Sequence, residues 1–373
     1  MALNSEYLRE ALELARKGRA QTSPNPMVGA VLVREGRVVG RGFHTYAGLK
    51  HAEILALEEA GERARGATLY INLEPCSHKG RTGPCADALI AAGVRRVVAA
   101  MRDPNPLVSG EGFERLRCAG IETEIASEFT AEAELLNEPF VHFMKTGLPL
   151  VTLKTALTLD GKIAAPDDNE GWITSETARL HVQQFRHEAD AIMTGIGTVL
   201  ADDCRLTDRT GLPRSRPLLR IVLDSQLRIP LDSEMVHHCE SDLVVVGTSA
   251  AAQERRRALE SRGVKVLIFD GPGGRTDLRR VVRWLGEQRY LSLMVEAGSK
   301  VNWAVLETEV VDKIFFYYAP KILGGTQSLP MAGGIGRRRR ADAIRVERLR
   351  IHPITPDEFA VEGYIRRDTR PGI

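Results

Sequence analysis

The sequence predicts an α/β protein built in two parts, on three observations. Short apolar runs alternate with segments of helical period along almost the whole chain, the pattern of strands laid between covering helices. At 373 residues the chain is long enough for two or three separate cores. A helical stretch that spans about 130–145 is broken by Gly147-Leu148-Pro149, and a new strand begins at Leu150. These features set a first domain at 1–146 and a second at 147–373.

The elements follow in order. Leu8, Ala11, Leu12 and Ala15 recur at helical spacing, Asn4 or Ser5 can cap that helix, and Gly18 can end it. S-P-N-P at 23–26 is a turn or loop, because each proline disfavours helix in the residue before it. Val28–Val33 and Val38–Gly42 flank R-E-G-R as a hairpin. A loop, G-F-H-T-Y-A-G-L-K, leads to His51, and a helical pattern runs from Ala52 to Ala64. Ala67–Leu73 reads as a buried strand, Cys85–Ala92 as a helix and Val94–Ala100 as a strand. After the D-P-N-P turn at 103–106 come a helix at Gly112–Ala119, a strand at Glu122–Ile125 and the helix from Thr130 to Lys145. In the second part the pattern places strands at 150–157, 190–194, 219–223, 243–246, 264–268, 291–295 and 313–318. Helices fall at 175–187, 250–262, 276–289 and 299–308. No G-x-G-x-x-G follows the first strand of this part, so the standard dinucleotide fingerprint is missing. Arg337–Arg340 reads as a solvated basic loop.

Composition excludes several classes. Hydrophobic residues are 43% and charged residues 27%, as in ordinary globular domains. No run of 18 apolar residues predicts a membrane span. The first 20 residues are amphipathic and lack an apolar signal core, which places the protein in the cytoplasm. A net charge of +2, with neither part strongly basic, argues against nucleic acid as a partner. Five cysteines argue against a disulfide framework; Cys118, Cys204 and Cys239 read as incidental thiols.

The other two cysteines belong to a metal constellation. H-A-E at 51–53 and P-C-S-H-K-G-R-T-G-P-C at 75–85 supply His51, Cys76 and Cys85, three ligands suited to zinc. A catalytic zinc keeps three protein ligands and leaves a fourth position for water, whereas a structural site closes all four. Glu53 stands where a carboxylate can carry a proton without binding the metal. In a regular helix, residues two apart point about 200° from one another, so H-x-E does not make two ligands on one face. H-x-E followed by P-C-x-x-C marks the zinc nucleobase deaminases. Here eight residues rather than two separate the cysteines, and they carry His78, Lys79 and Arg81, donors suited to a small phosphorylated substrate.

Beyond the metal ligands, the sequence resembles the bifunctional riboflavin-biosynthesis deaminase–reductase family. The matching pieces are P-N-P-M-V-G at 24–29, G-F-H-T-Y-A-G-L-K-H-A-E at 42–53, E-P-C-S-H-K-G-R-T-G-P-C at 74–85 and D-P-N-P-L-V at 103–108. The second part adds L-K-T-A-L-T-L-D-G-K at 153–162, G-W-I-T-S at 171–175, G-T-V-L-A-D-D at 197–203, V-E-A-G at 295–298 and A-P-K-I-L-G-G at 319–325. The resemblance implies a cytidine-deaminase-like α/β/α sandwich followed by a dihydrofolate-reductase-like α/β domain. It implies hydrolytic deamination of 2,5-diamino-6-(5-phosphoribosylamino)pyrimidin-4(3H)-one. NADPH would then reduce the ribosyl side chain to give 5-amino-6-(5-phosphoribitylamino)uracil.

The same resemblance assigns zinc to His51, Cys76 and Cys85, proton transfer to Glu53, and substrate contacts to Asn25, His44, His78 and Arg81. In the reductase it assigns Arg186, Leu206, Arg209 and Glu296 to substrate. NADPH would meet Leu157, Trp172, Thr198, Asp202, Ser225, and Gly298, Ser299, Lys300, Val301, Asn302, Trp303 and Ala304. Asp202 or an ordered water is the expected proton donor. Gly298-Ser299, just before a helical run, can offer backbone N–H groups to phosphate. Family members usually assemble as homo-oligomers. Three departures stand out: Gly83 and Cys204 where proline is usual, and Glu170 where serine is usual. The competing readings are a zinc deaminase with a non-catalytic second domain and a nucleic-acid-editing deaminase. The latter predicts C-x-x-C spacing and a basic groove, whereas the sequence puts eight residues between the cysteines and carries a net charge of only +2.

Overall fold

The structure, a computed structural model, describes residues 5–46, 50–77, 83–106, 108–167 and 170–366. It divides into two compact units, 1–147 with 213–216, and 148–212 with 217–373.

The first unit contains α1 (Ser5–Arg16), β1 (Gly29–Arg34), β2 (Arg37–Phe43), α2 (Ala52–Ala60), β3 (Thr68–Ile71), α3 (Cys85–Ala91), β4 (Arg96–Ala99), α4 (Glu111–Cys118), β5 (Glu122–Ile125), α5 (Thr130–Leu136) and α6 (Glu138–Thr146). Its sheet runs β2-β1-β3-β4-β5, antiparallel across β1 and parallel from β3 to β5. Helix α2 lies directly on β2 because Gly40 and Gly42 leave room for it. A Cβ at either position would sit 2.1 Å from the carbonyl oxygen of Ala56 or Ala52.

Two helical expectations need correction here. The Ala52–Ala64 helix stops at Gly61, which turns to φ 55°, and continues only as one 3₁₀ turn. The Thr130–Lys145 helix is two helices joined at Asn137. Pro139 lacks the N–H that a continuous helix would bond to Leu135, so it suits the first turn of a new helix.

The second unit contains β6 (Leu150–Thr158), β7 (Lys162–Ala164), α7 (Glu176–Glu188), β8 (Ala191–Gly195), α8 (Ile196–Asp202), β9 (Leu219–Leu223), α9 (Glu234–His237), β10 (Leu243–Gly247), α10 (Gln253–Glu260), β11 (Lys265–Ile268), α11 (Leu278–Glu287), β12 (Ser292–Val295), α12 (Ser299–Glu307), β13 (Lys313–Ala319), β14 (Leu329–Pro330), β15 (Val346–Pro353) and β16 (Phe359–Ile365). Its main sheet runs β11-β10-β9-β8-β12-β6-β13-β16-β15. Pairing is parallel from β11 to β13 and antiparallel at β16 and β15. Separate apolar clusters fill its two faces, one under α11 and α12, the other under α7, α9 and α10. Strands buried on both faces read as near-continuous apolar runs, interrupted in β9 by the buried Arg220, which is why β8, β9 and β10 are legible in the sequence. Ligands of such sheets sit beyond the carboxyl ends of the strands. Thr198, Ser225 and Glu296 lie there, just after β8, β9 and β12.

Candidate active site

In the first unit His51 precedes α2 with an extended backbone, φ −74° and ψ 158°. It is therefore a flanking residue rather than a helical one. Its separation from Glu53 comes from the helix start, not from two positions on one helical face. Cys85 opens α3, and Cys76 lies on the segment after β3. The ligand atoms of His51, Cys76 and Cys85 all fall within 4.8 Å of one another. His51 Nδ1 is 3.2 Å from Cys85 Sγ and 3.6 Å from Cys76 Sγ. Tetrahedral zinc with ordinary Zn–N and Zn–S bonds separates its ligands by roughly 3.5–3.8 Å, so the three residues fit that ion. No fourth His, Cys, Asp or Glu joins the group among the described residues.

The electrostatics suit a cation. The Cys76 sulfur receives hydrogen bonds from the Cys85 thiol, from His51 and from the Cys85 amide, and its pKa falls to about 4. The Cys85 thiol, donating to Cys76 and buried, is pushed far up. Without metal the two cysteines thus share one proton. Burial, and then the Cys76 charge, push Glu53 up to about 7. Glu53 is 3% exposed. A bound divalent ion reverses this local logic, ionising both thiols.

Asn25 and His44 stand beside the ligands. The His44 ring meets His51 edge-on with centroids 5.2 Å apart. Asn25 Nδ2 lies 3.2 Å from His44 Nε2, and His44 Nδ1 lies 2.9 Å from the Lys50 carbonyl. His78 and Arg81, with Lys79, lie outside the described residues.

Sequence reasoning passed over three residues that shape this site. Asn72 and Asn137 both hold Met27: each donates to its carbonyl, Asn137 also accepts from its amide, and Asn72 accepts from Gly29. This fixes the strand end that carries Asn25. Glu74, 4% exposed, accepts from the amides of Asp103, Gly110 and Phe113. The E-P-C motif is thereby tied to the segment after D-P-N-P. Glu74 opens the E-P-C-S-H segment of 74–78, and an acidic residue next to a zinc-ligand motif is itself a signal.

In the second unit Glu296 is gripped by Arg186 through Nε–Oε2 (3.1 Å) and Nη2–Oε1 (3.0 Å). Lys154 Nζ, 8% exposed, joins the same carboxylate at 3.1 Å. Burial alone would raise the Glu296 pKa, but the two cations bring it down to about 2. Lys154 is a fourth residue that the motifs do not single out, although a lysine inside an apolar strand is itself a signal. Asp202 and Cys204 enter the same field. Burial raises the Asp202 carboxyl, and burial followed by Asp202 lifts the Cys204 thiol to about 11.

The cofactor positions fall into groups. A Cβ at Gly195 would lie 2.6 Å from Val301, and one at Gly298 would lie 3.8 Å from Thr198, so the starts of α8 and α12 face each other closely. Thr194 Oγ1, Ser299 Oγ and Asn302 Oδ1 are buried there without hydrogen-bond partners among the described residues. Unspent buried polar atoms beside an uncapped helix start fit a phosphate-bearing dinucleotide. Trp303 packs under Gly334, with the Arg337 guanidinium 5.8 Å from its ring. Lys300 is exposed and Ala304 half-buried along α12. Leu157 is 2% exposed in the core, so it presents main chain rather than side chain. Trp172 is 68% exposed under the Arg179 guanidinium. Leu206 is buried at φ +49°, and Arg209 is exposed beside it.

No helix among the described residues is long and apolar enough to cross a membrane.

Comparison with known proteins joins the two sites. Residues 1–101 match the cytidine and deoxycytidylate deaminase zinc-binding region, and residues 149–357 match the RibD C-terminal domain. Riboflavin biosynthesis protein RibD of Aquifex aeolicus is 41% identical over 95% of this chain and 97% of its own length. The Escherichia coli protein of the same name is 42% identical over 94% and 96%. Acinetobacter baumannii RibD superposes with a TM-score of 0.86 at 36% identity, covering 97% of this chain and 98% of that one. A Thermotoga maritima structure described as a diaminohydroxyphosphoribosylaminopyrimidine deaminase/5-amino-6-(5-phosphoribosylamino)uracil reductase gives 0.81 at 34% identity, with the same coverage. With a zinc-ligand cluster in one unit and two facing helix starts with unspent polar atoms in the other, the chain belongs to the RibD family of riboflavin-biosynthesis enzymes, a zinc-binding deaminase joined to an NADPH-using reductase.

Proposed function

We propose that the first unit deaminates 2,5-diamino-6-(5-phosphoribosylamino)pyrimidin-4(3H)-one and that the second reduces the product to 5-amino-6-(5-phosphoribitylamino)uracil. The observation that carries this reading is the His51, Cys76 and Cys85 cluster with buried Glu53 beside it.

His51, Cys76 and Cys85 hold zinc, which supplies a Lewis acid and an activated water at neutral pH. Glu53 takes a proton and returns it to the departing amine, general acid–base work for a buried carboxylate beside the metal ligands. Asn25, steadied by His44, presents its amide oxygen to the ring. His78 and Arg81 supply donors for the phosphorylated side chain.

In the second unit NADPH supplies the hydride. Thr198, Asp202, Ser225 and the 298–304 segment bind it, with Leu157 and Trp172 at its borders. Reduction of the ribosyl carbon would need a hydride from that cofactor when bound, and a proton at the neighbouring nitrogen, which the chain's own residues must deliver. Arg186 and Lys154 share the single charge of Glu296, so the trio holds one net positive charge toward an anionic substrate. Arg209 and Leu206 border that substrate. Asp202, with its carboxyl raised by burial, is the closest match to a proton donor. Five free cysteines suit a reducing cytosol.

A coupled assay tests both halves. Ammonia release from the diaminopyrimidine should precede loss of NADPH absorbance. Folded enzyme that deaminates without oxidising NADPH would leave the second unit a non-catalytic domain.

A further inference from the structure

The substrate loop at 206–210 is held by one face of α7 more tightly than its surface position requires. Gln183, Arg186 and His187 stand at helical spacings of three and four, so they share a face. Each takes a different residue of the loop. Arg186 Nη1 donates to the Thr207 carbonyl at 3.2 Å. Gln183 Oε1 accepts from the Arg209 amide at 3.0 Å. His187 Nδ1 lies 2.8 Å from Asp208 Oδ2, with the two side chains 8% and 9% exposed.

Asp208 then closes the loop on itself. Its Oδ1 accepts from the Thr210 amide at 2.9 Å and from the Thr210 hydroxyl at 2.7 Å. That hydroxyl also sits 3.3 Å from His187 Nδ1. The backbone of Arg209 is therefore pinned from both neighbours and through its own amide. Its guanidinium, by contrast, is exposed and has no hydrogen-bond or ion-pair partner among the described residues. A fixed backbone beneath an uncommitted guanidinium is how a preorganised anion contact is built, because little ordering remains to be done on binding.

We infer that His187, Asp208 and Thr210 are positioning residues that aim Arg209 at the anionic substrate of the reductase. The inference rests on the assignment of Arg209 to the substrate. It adds three residues that touch neither substrate nor cofactor and act through Arg209.

The test is a double-mutant cycle on the full-length, zinc-loaded enzyme, with 5-amino-6-(5-phosphoribosylamino)uracil and NADPH as the probes. Asp208→Ala should raise KM for the uracil about tenfold, the loss expected when a few ordering hydrogen bonds go. Both kcat and KM for NADPH should stay within about twofold. In an Arg209→Ala background the same substitution should add nothing further. An equal rise in both backgrounds, no rise at all, or a fall in kcat that tracks the thermal midpoint would overturn the inference while leaving Arg209 in place. An Arg209→Ala enzyme with unchanged KM overturns the assignment of Arg209, and the inference with it. If Asp208→Ala does not fold, Thr210→Val removes only the bridging hydroxyl and enters the same cycle, with an expected rise of about threefold. Its failure to raise KM counts against the inference equally.

Discussion

Asn25 Nδ2 lies 3.2 Å from His44 Nε2, and the opposite nitrogen of that ring lies 2.9 Å from the Lys50 carbonyl. A carbonyl only accepts, so His44 Nδ1 must carry the proton and Nε2 must be the acceptor. Burial lowers the His44 pKa and outweighs the Lys50 carbonyl, which raises it, so the neutral ring in that tautomer is favoured. Asn25 therefore spends its NH₂ on His44, and its oxygen stays free for a donor on the substrate ring.

Asn25→Asp tests that orientation with almost no change in volume. A carboxylate cannot donate to Nε2, and it would meet the lone pair of a neutral ring. Deaminase kcat/KM, followed by ammonia release, should fall tenfold or more, about the loss of one well-placed hydrogen bond in a buried site. NADPH oxidation by the second unit should be unchanged. Deamination within twofold of the parent would show that the pair does not orient the substrate.

Glu53→Gln keeps the shape of a buried side chain while removing its ability to move a proton. Zinc content should stay at the parental level, because Glu53 lies outside the three ligands. Deamination should drop by ~10²–10⁴, the usual worth of a general acid–base. Metal analysis beside single-turnover deamination separates the two effects. A variant that turns over normally assigns the proton transfer elsewhere.

Cys85→Ser addresses the metal directly. A hydroxyl is a far poorer zinc ligand than a thiolate, and the remaining His51 and Cys76 make only a two-residue site. Zinc per chain should fall well below one, and ammonia release should fall with it. Chelation of the parent enzyme should give the same pattern. Reductase turnover on the uracil substrate should survive both treatments.

Much of this site could be read from residue order because zinc chemistry limits which side chains appear. H-A-E and the two cysteines announce the metal without any knowledge of geometry. The apolar strands β8, β9 and β10 could be read for the same reason, since burial on both faces leaves few alternatives. What escaped depends on three dimensions. Helix α8 follows its strand with no residue between them, so Gly195 and Gly197 mark a junction rather than a loop. Strand β15, R-rich and exposed along most of its length, lacks the pattern of a half-buried strand and exists because β16 pairs with it. Asn137 interrupts a helical pattern because Pro139 follows and its amide is spent on Met27, a residue 110 positions away. Lys154 meets Glu296 across 142 positions, and no local pattern records that.

That ion pair leads to a prediction about acid stability. In the folded chain Glu296 titrates near 2, against 4.5 as the ordinary value, because Lys154 and Arg186 outweigh the effect of burial. A depressed folded pKa contributes stability that is fully present above the unfolded value. It is lost as pH falls through the folded one. The window is therefore between about pH 4.5 and pH 2. Glu296→Gln removes the charge that Lys154 and Arg186 share, so both buried cations lose the carboxylate they pair with. It should lower the urea midpoint of the second unit at neutral pH and flatten its dependence on pH within that window. Trp172, Trp284 and Trp303 are the only tryptophans in the chain and all lie in the second unit, so intrinsic fluorescence follows that unit selectively. Reductase activity should fall as well, since the trio no longer has its geometry. A variant whose acid profile matches the parent would show that Glu296 is not ionised and paired in the folded protein.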